Sequence, residues 1–130
     1  MELPGTIKRA VRRLGLHRIV TRPAGRSVRV ESGGEVVAAS DGAIALEETG
    51  NPTRFYLPRE DVRLDRLTRS DTTARCPFKG AATYWSTRSA QDAFWAYEAP
   101  SEPEARPIAG HLAPDPRRVD VFVDGARIRA

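Results

Sequence analysis

"RSVRVESGGEVVAASDGAIALEE", residues 26–48, sets apolar against polar residues on both sides of a glycine pair. Val28 and Val30 alternate with Arg29 and Glu31, Gly33-Gly34 makes a two-residue turn, and residues 35–40 run back, which is the pattern of a β-hairpin. A second turn at Asp41-Gly42 leads into Ile44 and Leu46, which alternate with Ala45 and Glu47. The pattern predicts a third, half-exposed strand completing a meander.

The same period recurs at the other end. In "RVDVFVDGARIR", residues 118–129, Val119, Val121 and Val123 alternate with Asp120, Phe122 and Asp124, and Asp124-Gly125 is a favoured type I′ turn. Between the hairpins, Phe55, Tyr56 and Leu57 read as a short strand closed by Pro58, and residues 59–67 as a helical turn or a strand. "SDTTARCPF", residues 70–78, reads as an irregular connection, "AATYWST" after Gly80 as a strand, and "AFWAY", residues 93–97, as another. Residues 101–116 hold four prolines and read as a connector. Short strands with little helical periodicity past residue 20 predict a mostly β domain of two antiparallel sheets with short helical turns.

The length of 130 residues suits one domain, taken here as residues 24–130 behind a basic arm at 1–23. The arm is set apart by charge. Residues 1–30 carry eight Lys/Arg against one acid, whereas the remainder carries thirteen against sixteen. Within "IKRAVRRLGLHRIV", Ile7, Val11 and Leu14 would share one face of a short helix packed on the body. A basic arm can also dock on an acidic partner, and contact with nucleic acid through residues 8–29 is the lesser alternative.

No stretch approaches the roughly 20 apolar residues of a membrane span, and the basic start lacks a secretory h-region, which together favour the cytoplasm. Cys76 is the only cysteine and His17 and His111 are the only histidines, so an intrachain disulfide and a multi-thiolate zinc site are excluded, no metal is implied, and any cofactor is left unknown. Phosphate-binding glycine motifs, H-E-x-x-H and G-x-S-x-G are absent, so the residues place no reaction and leave open whether the chain is an enzyme.

Eight of nine aromatics fall between residues 55 and 97. Some must be core, and Tyr84 and Trp85 must face opposite sides of their strand. The polar-tipped rings Tyr56, Tyr84, Trp85, Trp95 and Tyr97 are candidate pocket walls. Lys79 stands out because the chain uses nineteen arginines and only two lysines. It can be a solvent-exposed turn residue or an ammonium fixing an anionic group of a ligand, with Arg59 as a second cation. As an enzyme, the chain would use Lys79 or Cys76 with His111 or Asp61 as proton carrier. Cys76 otherwise reads as a small buried hydrophobe, Arg59 and Glu60 as surface ion-pair residues, and Asp61 as a cap of the segment that follows. Exposed hairpin edges make a homo-oligomer conceivable.

"GGEVVAAS", "FYLPREDV", "TARCPFKGAATYWS", "AFWAYEAP" and "IAGHLA", in this order, resemble the bacterial domain-of-unknown-function family numbered 427, also labelled a nucleotidyltransferase domain, over about residues 24–125. The resemblance implies a small fold of two antiparallel sheets, open like a tent with a pocket beneath. It bears on Tyr56, Pro58, Arg59, Asp61, Cys76, Pro77, Lys79, Gly80, Tyr84, Trp85, Trp95 and Tyr97. Where the family usually continues with two aromatics after "HLA", this chain has Pro114 and Asp115. The nucleotidyltransferase label would imply a metal–carboxylate centre and a phosphate cradle, and neither is present in the sequence. The reading that results is a small-molecule-binding β domain, with an enzyme and an interaction module as alternatives.

Overall fold

The computed structural model describes residues 15–129. It is mostly β, with eleven strands in three antiparallel sheets and short 3-10 turns. The helix expected over Ile7, Val11 and Leu14 lies outside the described residues. Residues assigned to the arm do reach into the fold, because strand β1 (Ile19–Pro23) pairs with β4 (Ile44–Glu48) along its whole length.

The opening hairpin forms as its pattern dictates. Strands β2 (Val28–Ser32) and β3 (Glu35–Ser40) pair across Gly33 and Gly34, whose φ of 60° and 80° are those a type I′ turn needs. The C-terminal hairpin is built in the same way from β10 (Asp120–Val123) and β11 (Ala126–Ile128), with Asp124 at φ 49° and Gly125 at φ 82°. The two hairpins join through β10 and β2 into one sheet of order β11-β10-β2-β3.

The third strand of the expected meander departs from this sheet. Strand β4 pairs instead with β1 and with β5 (Arg54–Tyr56), giving the sheet β1-β4-β5. Asp41 and Gly42 do not adopt the positive φ angles of a tight hairpin. The Gly42 amide donates to Ser40 Oγ at 3.0 Å, Ser40 Oγ donates to Asp61 Oδ2 at 2.6 Å, and the chain turns a corner into another sheet. Asp61 is therefore engaged by Ser40, and it caps neither of the flanking 3-10 turns, Arg59–Asp61 and Leu64–Arg66.

The third sheet has the order β6-β7-β8-β9, from β6 (Thr68–Cys76), β7 (Gly80–Ser86), β8 (Phe94–Tyr97) and β9 (Ala113–Pro114). The segment read as an irregular connection is thus a nine-residue strand. Strand β6 is the sheet's edge and most of its side chains are exposed, so no apolar period marks it. Its pairing with β7 supplies the order, with a register shift between Arg69 and Thr73. Reciprocal backbone hydrogen bonds between Leu57 and Leu112, 2.8 and 2.9 Å, tie β5 to the strand β9 region. The turn-rich connector contains a 3-10 turn, Pro103–Ile108, that buries Ala105 and Ile108.

Both faces of this sheet carry a core. Phe94, Ala96 and the inner side of Trp85 meet Val28, Val30, Val121 and Val123 of the hairpin sheet together with Leu57 and Leu112. On the opposite face Ala82, Tyr97, Ala113, Tyr84 and Trp95 meet Ile19, Leu46 and Tyr56 of the β1-β4-β5 sheet, with Ile108 and Phe78 closing the cluster. Phe94 is fully buried at the centre of the first core. Phe94→Ala is expected to lower the free energy of unfolding by about 3–5 kcal/mol in urea denaturation, and a loss below about 1 kcal/mol would contradict that placement.

Candidate ligand-binding site

Strand alternation distributes the seven candidate side chains. Tyr84 of β7 lies opposite Trp95 of β8, and Tyr97 lies two residues further on the same face. Tyr56 approaches this face from β5, fully buried, and its hydroxyl accepts a hydrogen bond from Trp95 Nε1 at 3.0 Å. The two rings meet edge to face with centroids 6.3 Å apart. Tyr56 and Tyr97 are packed side chains, whereas Tyr84 and Trp95 are half-buried and keep accessible ring surface. Cys76 is half-buried against the same cluster.

Burial raises the pKa of all three tyrosines. For Tyr97 neighbouring Tyr56 and Cys76 add to it, for Tyr84 the carboxylates of Asp92 and Asp115 do, and for Tyr56 burial outweighs the bond from Trp95.

Lys79 is not a solvent-exposed turn residue. It projects from the β6–β7 turn into the gap between two sheets, where its Nζ donates to Glu48 Oε1 at 2.5 Å and lies 5.3 Å from the Tyr97 ring centroid. His17 Nε2 meets the other Glu48 oxygen at 2.8 Å, and the His17 ring stacks on Phe78 with centroids 3.6 Å apart. Lys79, Glu48 and His17 expose only 11%, 7% and 14% of their side chains, so a buried carboxylate is shared between two nitrogen groups from different elements. The anion that Lys79 holds is the chain's own. A cleft of about 400 Å³ borders this clamp, lined by His17, Ile19, Phe78, Glu102 and Glu104, and it contains none of the seven candidates.

Arg59 and Trp85 are on the other face of the sheet. Arg59 Nη1 donates to Glu98 Oε1 and to the Gly110 carbonyl, both at 3.0 Å, and its guanidinium carbon lies 5.4 Å from the Trp85 ring centroid. Arg59 thus takes the surface ion pair expected of it, with Glu98, and Glu60 is exposed. His111 Nδ1 faces the Ala109 carbonyl at 3.2 Å, and no hydrogen bond joins it to Cys76 among the described residues.

Two residues at the site escaped the sequence reading. Arg54 lies two positions before Tyr56 on β5, on the same face by alternation, and its guanidinium carbon is 5.6 Å from the Trp95 ring centroid. It forms no ion pair within 4 Å among the described residues. Glu48 is the second, and its place at the end of the alternating Ile44, Leu46, Glu48 series was the available signal.

Asp115, which stands where the resemblance led to an aromatic, is buried on this side. Burial opposes its charge, but the side-chain and backbone hydrogen bonds from Arg117 outweigh that and hold its carboxyl below the usual range.

A family model matches residues 20–125. The chain belongs to the family described as a domain of unknown function (DUF427). The match begins within β1, in keeping with the pairing of that strand inside the DUF427 fold. No curated protein matches the chain. Among the described residues of this DUF427 chain no helix is long and apolar enough to cross a membrane, and no three His, Cys, Asp or Glu side chains are grouped to hold a metal ion.

Removing one partner of a buried ion pair strands the other. Glu48→Ala is expected to cost about 3–5 kcal/mol in urea denaturation, and Glu48→Leu combined with Lys79→Met to recover most of it. Equal losses in the single and double variants would show that the pair is not coupled. The raised tyrosines give a second test. Because each phenol is held neutral in the fold, the unfolded chain loses its protons first as pH rises past the usual value near 10, so stability is intact below that pH and falls above it. Tyrosinate absorbance from the two buried phenols, Tyr56 and Tyr97, is expected only as the protein unfolds in alkali. Ionisation of all three tyrosines near pH 10 with the fold intact would contradict that burial.

Proposed function

We propose that this DUF427 chain is a small-molecule-binding domain whose ligand combines a flat apolar body with an anionic group. In this reading the body rests on the half-buried rings of Tyr84 and Trp95, with Tyr56 and Tyr97 as the packed wall behind them. Arg54 meets the anion, and Lys79 holds the wall in place through Glu48. The supporting observation is Arg54, a guanidinium that lies 5.6 Å from the ring centroid of a half-buried tryptophan and forms no ion pair within 4 Å among the described residues, its charge felt by Asp115 only at longer range. An arginine in that position offers a planar, forked donor beside an apolar surface, the combination that recognises carboxylates and phosphates on aromatic molecules.

Thermal shift over aromatic carboxylates and aromatic phosphates tests the proposal, since a ligand bound only by the native state raises Tm. The expected result is that at least one such anion stabilises the protein while its neutral amide or alcohol does not. Arg54→Ala and Tyr84→Ala should each remove the shift. If no anion in the panel stabilises the protein, or if Arg54→Ala leaves the shift unchanged, the reading fails.

A further inference from the structure

The opposite face of the same sheet carries a second aromatic residue flanked by arginines. By register, Arg69, Thr73 and Arg75 of β6 lie opposite Trp85, Thr83 and Ala81 of β7, so these side chains share one face. Trp85 is half-buried, and Arg69 is exposed. Two guanidinium carbons approach the Trp85 ring centroid, Arg59 at 5.4 Å and Arg69 at 6.0 Å.

The two arginines are held differently. Arg59 is fixed by Glu98 and the Gly110 carbonyl. Arg69 makes no ion pair among the described residues, and its contact with the ring is the weak, exposed form of the cation–π interaction. A phosphate would draw Arg69 from the ring, because a charge-assisted Arg–phosphate bond is the stronger of the two contacts. Its departure uncovers indole surface beside a fixed cation. Trp85 Nε1 is buried with no hydrogen-bond partner among the described residues, so the indole edge is packed against the core and its approach from solvent is by the ring surface beside Arg69.

We propose that this face of β6 and β7 binds a nucleobase with its phosphate, the base stacked on Trp85 and the phosphate taken by Arg69. The chemistry fits because a base offers a π-face to the indole, Arg59 borders the stack, and the hydroxyls of Thr73 and Thr83 lie on the same face to meet sugar or phosphate oxygens. The base can come from a free nucleotide or from a single strand.

Fluorescence anisotropy of a labelled oligoadenylate, with AMP and inorganic phosphate as competitors, tests this. Binding is expected to weaken with added salt and to fall at least about tenfold in Arg69→Ala and in Trp85→Leu. Arg69 is exposed, so its variant reports on binding even if Trp85→Leu fails to fold. Competition by AMP and not by phosphate assigns the site to free nucleotides, and binding of the oligonucleotide without competition by AMP assigns it to single strands. Arg54→Ala should leave this binding unchanged. The proposal is overturned if neither oligonucleotide nor AMP binds, if Arg69→Ala binds as tightly as the parent, or if Arg54→Ala is the variant that abolishes binding.

Discussion

The pleat of β7 and β8 is the constraint on which the arrangement depends. Because successive side chains of a strand leave on opposite faces, Tyr84 and Trp85 cannot serve one core, and neither can Phe94 and Trp95. The sheet containing them must be covered on both sides. The β11-β10-β2-β3 sheet packs against Phe94 and Ala96, while the β1-β4-β5 sheet packs against Ala82, Trp95 and Tyr97. That requirement explains why β4 leaves the hairpin sheet. A three-stranded meander β2-β3-β4 would have left the tyrosine face of the central sheet without a partner.

Glu48, Lys79 and His17 close one end of the tyrosine core. Burying a carboxylate is costly unless it is paired and hydrogen-bonded, and here each oxygen has a nitrogen partner. A lysine suits this position in a chain that otherwise prefers arginine. A compact ammonium on a flexible stem reaches one carboxylate oxygen from a turn while lying 5.3 Å from the Tyr97 ring centroid, and the other oxygen is left to His17.

The sequence made the two hairpins, the strand after Gly80 and the split between Tyr84 and Trp85 legible, because each is written in a period of two or in turn residues. It concealed three features for physical reasons. Asp41-Gly42 and Asp124-Gly125 are the same dipeptide, yet only the second adopts positive φ at both positions, and the difference lies in Ser40 and Asp61, twenty-one residues apart. Strand β6 is exposed on both faces for most of its length, and a strand without a buried face has no apolar alternation to read. Lysine usage singled out Lys79 but could not say whether its anion was a ligand or the chain's own Glu48, since that pairing joins segments thirty-one residues apart.

The lengths of the covering strands account for where aromatic surface remains open. Strands β1, β4 and β5 have five, five and three residues, the hairpin-sheet strands have three to six, and β8 has four, while β6 and β7 have nine and seven. Short covers over longer strands bury the middle of the sheet and leave the far part of β7 and its neighbours in contact with water. Tyr84, Trp85 and Trp95 are the rings at that boundary, each half-buried, whereas Phe94 beneath the hairpin sheet and Tyr56 on the covering strand β5 are fully buried. A ring packed on one side against a core has already lost most of its rotamer freedom on folding. Arginines stand beside both open tryptophans, Arg54 at Trp95 and Arg69 at Trp85, which puts a cation at the edge of each open surface. Open aromatic surface therefore remains on both faces of one sheet, and the pleat keeps the two from merging.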